Sequence, residues 1–94
     1  MEKDDNIRFL CLEHSNQRHK EWQQNNKDTV IEVGNYAKMA FKSAQGIEHM
    51  WVKITNCMTK NSYIGILYND PIRATHLKHG EEILFEREMI EEIL

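Results

Sequence analysis

Three consecutive runs between residues 36 and 68 alternate apolar and polar side chains, and each run ends at a turn signal. The runs are YAKMAFKS (36–43), EHMWVKITNCM (48–58) and YIGILY (63–68), separated by AQG (44–46) and TKNS (59–62). Because successive side chains of a strand point to opposite faces, this period of two predicts strands joined into an antiparallel sheet. The apolar face of the first two strands consists of Ala37, Met39, Phe41, Met50, Val52 and Ile54.

The segment before the sheet is predicted to be helical. Ile7, Leu10 and Cys11, followed by His14, Arg18 and Trp22, are spaced in steps of one, three and four, which is typical of one side of an amphipathic helix. Taken alone, IRFLCL (7–12) also fits a strand, so both interpretations stay open there.

Two further elements are predicted after the sheet's third strand, which ends at the proline of NDP. EEILFE (81–86) is predicted to be a fourth strand, and REMIEEIL (87–94) a short C-terminal helix whose glutamates, Glu86 included, form a solvated acidic side. The chain is therefore expected to be one α+β domain over 1–94. It has an N-terminal helical segment (1–29) and a three- to four-stranded antiparallel sheet within a β-rich part (30–94).

Composition limits the classes of function. The formal net charge of −3 gives no general attraction to duplex nucleic acid, and no apolar stretch approaches the length of a membrane span. Cys11 and Cys57 lack an assigned base and lie in apolar patterns, so we expect buried, reduced thiols in a cytoplasmic protein.

Four short motifs occur in order along the sheet-forming part of the chain. They lie in VGNYAKMAFKSAQGIEHMWVKIT (33–55), IGILYNDP (64–71) and LKHGEEILFEREMIEEIL (77–94). Over about residues 30–94 the chain resembles a family of small bacterial and phage domains of unknown function, the YegJ type. Tyr68 and Glu81 depart from the family's pattern, which has a small residue and an aspartate there. The resemblance implies a setting near bacterial conflict systems and a distant likeness to immunity proteins, but no established chemistry.

Two polar pairs were considered as catalytic or metal sites. Glu48 and His49 are adjacent on a strand, so their side chains point to opposite faces and do not converge on one reacting atom. His76 and His79 have a chelating spacing but lack the further ligands that zinc needs. We therefore expect no enzyme activity, no metal and no cofactor.

Large apolar side chains on both faces of the predicted sheet raise the question of what covers the second face. The pattern is interpreted as placing Tyr63 and Leu67 beside Trp51, with Gly65 leaving room for the indole, and Ile64 and Ile66 in the core. The expected cover of Trp51 is the N-terminal helix. The alternatives are a partner chain and a ligand.

The connection after the third strand collects the side chains that bind nucleotides: rings that stack, amides and carboxylates that read base edges, and cations that neutralise phosphate. The alternative is a solvated turn built by Asn-Asp-Pro. The candidate ligand-binding residues are Trp51, Tyr68, Asn69, Asp70, Arg73, Thr75, His76 and Lys78, with charge from Lys38, Lys42 and Lys53.

These residues favour a non-catalytic binding protein that sequesters a small anionic, nucleotide-like ligand, in a homo-oligomer whose subunit interface offers a place for the pocket. The alternative is an immunity- or inhibitor-like protein that binds another protein. In that case its interface would use the exposed aromatic face and the acidic C-terminal residues Glu86, Glu88, Glu91 and Glu92.

Overall fold

The computed structural model describes residues 11–12 and 17–94, with side chains described from residue 17. These residues form an α+β domain with one helix, an antiparallel sheet and a single turn of 3₁₀ helix at Arg87–Met89. The helix is α1 (Gln17–Asn25). The strands are β1 (Cys11–Leu12), β2 (Tyr36–Ser43), β3 (Gly46–Cys57), β4 (Ser62–Leu67), β5 (Glu82–Glu86) and β6 (Glu92–Ile93).

The sheet follows the order β1-β2-β3-β4-β5, so the four long strands lie side by side in chain order. The predicted strands at 36–43, 48–58, 63–68 and 81–86 are thereby confirmed. β2 and β3 are joined through the pair Ser43↔Gly46, and the positive φ of Gly46 (116°) is one that glycine adopts without steric cost. Ala37 lies opposite Val52 in this register, so the apolar positions of the two strands share one face.

The hydrophobic core lies on that shared face. It is covered by Trp22 of α1, by Ala74 and Leu77 of the connection between β4 and β5, and by Ile90. The sheet's contribution to the core consists of Ala37, Met39, Phe41, Met50, Val52, Ile54, Tyr63, Leu67, Ile83 and Phe85. The predicted apolar face of β2 and β3 is therefore the core face.

The predicted faces of the third strand are wrong. Leu67 pairs with Val52 and belongs to the core, as does Tyr63, whereas Ile64 and Ile66 are half-buried on the opposite face. Both faces of β4 are apolar, so the sequence pattern did not fix its orientation. The orientation is set by the register with β3, which slips by one residue between Ile54 and Asn56.

The predicted C-terminal helix is also wrong. After the 3₁₀ turn the chain is extended, and β6 pairs with β2 through Ala37↔Ile93 and Lys38↔Glu92. A helix this short has little intrinsic stability, whereas the part of the β2 edge that β1 leaves unpaired, at Ala37 and Lys38, offers backbone hydrogen bonds. The extended path also buries Ile90 completely. It therefore pairs backbone groups with β2 and adds an apolar side chain to the core.

The N-terminal prediction is corrected in part. Cys11 and Leu12 form β1, paired with Phe41 and Ala40 of β2, so here the strand interpretation was right. The described helix begins at Gln17. The other residues assigned to that helix before Gln17, Ile7 and Leu10 among them, lie outside the described residues.

Candidate functional site

The face of the sheet opposite the core carries three aromatic side chains from three neighbouring strands. Tyr36 begins β2, Trp51 lies within β3 and Tyr68 directly follows β4. The rings of Tyr36 and Tyr68 meet edge to face, with centroids 5.2 Å apart and an interplanar angle of 64°. With Leu94 these residues line an apolar cavity of about 240 Å³. We call Tyr36, Trp51 and Tyr68 the aromatic platform.

Backbone hydrogen bonds on both sides fix the platform. The amide of Tyr68 donates to the carbonyl of Trp51 at 2.9 Å, and the amide of Trp51 donates to the Asn69 side-chain oxygen. On the other side, Tyr36 exchanges two backbone hydrogen bonds with Leu94. These contacts anchor the platform to β2, to β3 and to the residues that directly follow β4 and β6, which favours a preformed surface.

Two lysines lie over the rings of the platform. Lys38 is the cross-strand partner of Trp51 and holds its Nζ 5.7 Å from the indole centroid. Lys53 is the partner of Tyr36 and lies 5.9 Å from that ring. These are cation–π distances. Neither lysine forms an ion pair with a carboxylate of the described residues. The rim of the apolar cavity thus carries two positive charges.

The connection after Tyr68 is anchored by Glu48. Its carboxylate accepts hydrogen bonds from three successive backbone amides, those of Ile72 (2.9 Å), Arg73 (2.7 Å) and Ala74 (2.9 Å). Successive amides in a turn form a concave anion-binding site, which the protein's own carboxylate fills here. Because Ala74 is buried in the core, Glu48 fixes this connection against the core face.

These contacts shift the pKa of Glu48. Partial burial acts to raise it, but the hydrogen bonds from the amides of Ala74, Ile72 and Arg73, together with the Arg73 guanidinium, lower the pKa overall. A carboxyl group whose pKa is lower in the folded state contributes stability that is present above its unfolded pKa, about 4.3 for glutamate. That stability is lost as the pH falls through the folded pKa.

The change Glu48→Gln should therefore destabilise the protein in a pH-dependent way. At neutral pH we expect a loss of about 1 kcal/mol, less than for a fully buried charged hydrogen bond because the site is partly exposed. The difference from wild type should shrink as the pH falls below about 4.3. Urea unfolding at several pH values measures it. A difference that stays constant between neutral and acid pH would contradict the role assigned to the ionised carboxylate.

The structure separates the predicted ligand-binding residues into two groups. Trp51 and Tyr68 form the platform, and Asn69 lies beside it. The Arg73 side chain lies instead at the turn between β2 and β3, where a Cβ added to Gly46 would be 3.7 Å from Arg73 Cδ. Gly46 is five residues from Trp51, about 16 Å along a strand.

The remaining predicted residues lie along the connection. Asp70 lies 3.2 Å from His79 Nδ1 at an exposed position, and the His79 ring is 5.6 Å from the ring of Tyr68. Thr75, His76 and Lys78 are exposed. Because Glu48 holds residues 72–74 on the core side of the sheet, the connection leaves the platform soon after Asp70.

Two residues that line the cavity of the platform, Tyr36 and Leu94, were missing from the predicted site. Tyr36 had a signal, since the alternation places it on the same face as Lys38. Leu94 had none, because its position depends on the unforeseen pairing of the C-terminal segment with β2.

His49 takes part in a contact that the sequence did not reveal. Its Nδ1 lies 2.8 Å from the carboxylate of Glu91, whose residue is only 3% exposed. Glu48 and His49 therefore have different partners, as the strand alternation predicted. Glu91 also donates its amide to the Lys38 carbonyl, so the pair ties the C-terminal segment to β2 and β3.

Two other features are absent from the described residues. Within 17–94, no three side chains of histidine, cysteine, aspartate or glutamate are grouped so that they could hold a metal ion. Nor does the described part of the chain contain a helix long and apolar enough to cross a membrane.

The fold and the platform define a small α+β domain whose antiparallel sheet buries one face and presents aromatic rings on the other. The chain belongs to the family DUF2314, described as uncharacterized protein conserved in bacteria, whose model matches residues 12–94. A small bacterial domain of unknown function was predicted from the sequence motifs, and the family match confirms it at that level. No curated protein and no solved structure matches the chain.

Proposed function

We propose that this protein is a non-catalytic binding protein that captures a small anionic ligand with a planar ring, such as a nucleotide, on the aromatic platform. One observation carries this proposal. Three rings surround an apolar cavity, and the ammonium groups of Lys38 and Lys53 lie over these rings without a described carboxylate partner. The cavity suits a base, and the lysines suit a phosphate.

The volume of the cavity supports a binding mode in which only the ring of the ligand is enclosed. A cavity of about 240 Å³ is smaller than the sites of about 300–1,000 Å³ that enclose whole drug-sized ligands. The ring would therefore enter the cavity, and the anionic part would lie over Lys38 and Lys53 at the surface. Stacking of a base on an aromatic side chain contributes about 1–3 kcal/mol, and charge-assisted hydrogen bonds add to it.

Binding of another protein is the second candidate. Exposed apolar surface beside the cavity supports it, since Leu94 is 73% and Tyr68 48% exposed. The acidic C-terminal surface expected to take part is smaller than predicted. Glu91 is buried against His49, and Glu92 lies 3.8 Å from Arg18. We therefore prefer the ligand to the protein partner.

A thermal-melting screen tests the ligand proposal. Nucleoside monophosphates, cyclic nucleotides, nucleosides and inorganic phosphate are compared at equal ionic strength. Because the ligand binds the native state, a nucleotide at 100 times its Kd should stabilise the protein by about 2.7 kcal/mol and raise the Tm by roughly 10 °C or more. Nucleosides and phosphate alone should raise it less. No shift with any nucleotide would contradict ligand capture.

The assembly and cellular setting are proposed on separate grounds. The resemblance of the sequence motifs supports a setting in bacterial conflict, and the free thiol of Cys57 supports a reducing, cytoplasmic compartment. The apolar surface around Leu94 supports a homo-oligomer. We expect native mass measurement to give a multiple of 11.2 kDa. A monomer at every concentration tested would contradict the oligomer.

A further inference from the structure

We infer that the protein has a second binding site, for a small molecule bearing an oxyanion, at the end of the sheet away from the platform. A cavity of about 560 Å³ lies where the connection from α1 to β2 meets the turn between β3 and β4. This volume is within the usual range of small-molecule sites. The cavity shares no lining residue with the cavity of the platform.

Arg87 organises this cavity. Its backbone amide donates to the Asn61 carbonyl at 2.8 Å, and its Nη2 donates to the carbonyls of Asn26 (2.7 Å) and Thr29 (2.9 Å). The guanidinium carbon also lies 6.0 Å from the Trp22 ring centroid. Half-buried Arg87 thus links the two walls of the cavity before any ligand binds: its guanidinium is held by the connection from α1 to β2, and its backbone amide by the turn between β3 and β4.

The charges that line the cavity favour an anion. Lys27, Lys60 and Arg87 contribute three cations, whereas Asp28 is the only carboxylate among the lining residues. The hydrogen bonds that the Arg87 guanidinium donates go to backbone carbonyl oxygens, and no described carboxylate forms an ion pair with it. Carbonyl groups orient a guanidinium without neutralising it. A phosphate or carboxylate group would supply the negative charge that the carbonyl groups lack, and a guanidinium group binds both kinds of anion in a defined geometry.

Cys57 offers a reporter for occupancy of this cavity. Its thiol, which was predicted to be buried, is exposed and lines the cavity, and its Sγ lies 3.6 Å from the Ile31 carbonyl oxygen. A bound oxyanion would shield the thiol from the alkylating reagent. Occupancy of the cavity should therefore slow the alkylation of Cys57.

The test measures the alkylation rate of Cys57 by iodoacetamide on the intact folded chain, resolved from Cys11 by peptide mass spectrometry. The probes are inorganic phosphate, pyrophosphate and citrate, each compared with chloride at equal ionic strength. We expect at least one oxyanion to slow alkylation severalfold in a saturable way. Slowing by the phosphates alone identifies a phosphate site, slowing by citrate alone a carboxylate site, and slowing by all three a general oxyanion site.

Charge variants test whether the protection of Cys57 arises in this cavity or at another surface. For each variant, the alkylation rate with the oxyanion is divided by the rate of the same variant in chloride. The double change Lys27→Glu and Lys60→Glu should remove the protection, whereas Lys42→Glu, a single charge reversal at an exposed position of β2, should keep it. Trp51→Ala should also keep it, which separates this site from the platform. Arg87→Lys should weaken protection, with folding checked by circular dichroism. No slowing by any oxyanion, or full protection in the double variant, would overturn the inference.

Discussion

Replacing Gly65 with alanine should destabilise the protein by about 3 kcal/mol, the upper end of the usual cost of overpacking a core. Gly65 lies in β4 on the core face. An added Cβ would lie 2.5 Å from Val52 Cγ1 and 2.6 Å from the Lys53 carbonyl oxygen. Since one of these contacts is backbone of the neighbouring strand, a side-chain rotation cannot relieve both. Urea unfolding monitored by circular dichroism measures the loss.

Gly80→Ala is the matched control for Gly65. Gly80 has a positive φ of 90° and nothing within 4 Å of an added Cβ, so alanine there meets backbone strain but no steric contact. We expect a cost of about 1–2 kcal/mol from that strain. If Gly65→Ala proved no more destabilising than Gly80→Ala, this result would contradict the close packing of β3 against β4 at Gly65.

Replacing Trp51 with alanine should weaken nucleotide binding by roughly 5- to 150-fold, because removing one stacking ring costs about 1–3 kcal/mol. The global fold should persist, since the indole is half-buried and outside the core. Trp22→Ala is the matched control. It removes the same side chain from the core face and should lower stability without changing affinity, which isothermal titration calorimetry measures.

The lysines of the platform should affect only the anionic part of the ligand. Lys38→Ala with Lys53→Ala should weaken nucleotide binding and leave nucleoside binding nearly unchanged, because the nucleoside lacks the phosphate. Lys42→Ala removes one positive charge, against two in the double variant, at an exposed position further along β2. Equal weakening by Lys42→Ala and by the double variant would mean that general charge, rather than the platform, attracts the ligand.

The sheet could be predicted from the sequence where one face of a strand was clearly more apolar than the other. β2 and β3 alternate in this way, and their bounds and core face were predicted well. β4 is apolar on both faces, so its orientation depends on the slip in register near Thr55, which no local pattern reveals. The C-terminal segment satisfies the spacing of a helix, but the free edge of β2 determines its conformation.

Only part of the site could be predicted, because the rest depends on contacts between residues far apart in the sequence. Trp51 could be identified because alternation places it opposite the core face, and Tyr68 because it is a ring at the end of a strand. Lys38 and Lys53 could be identified because alternation places them on the face of Trp51. The connection after Asp70 was predicted to contribute the rest of the site. Its path depends instead on the hydrogen bonds from residues 72–74 to Glu48, a contact between residues 24 or more positions apart.

The two tryptophans allow ligand capture on the platform to be tested within one sample. The assigned indole N–H resonances of Trp51 and Trp22 are followed by NMR during titration with the nucleotide that raises the Tm most. We predict that the Trp51 resonance shifts in a saturable way while the Trp22 resonance stays in place, because the two rings lie on opposite faces of the sheet. A Trp51 resonance that does not move at saturating nucleotide would contradict binding at the aromatic platform.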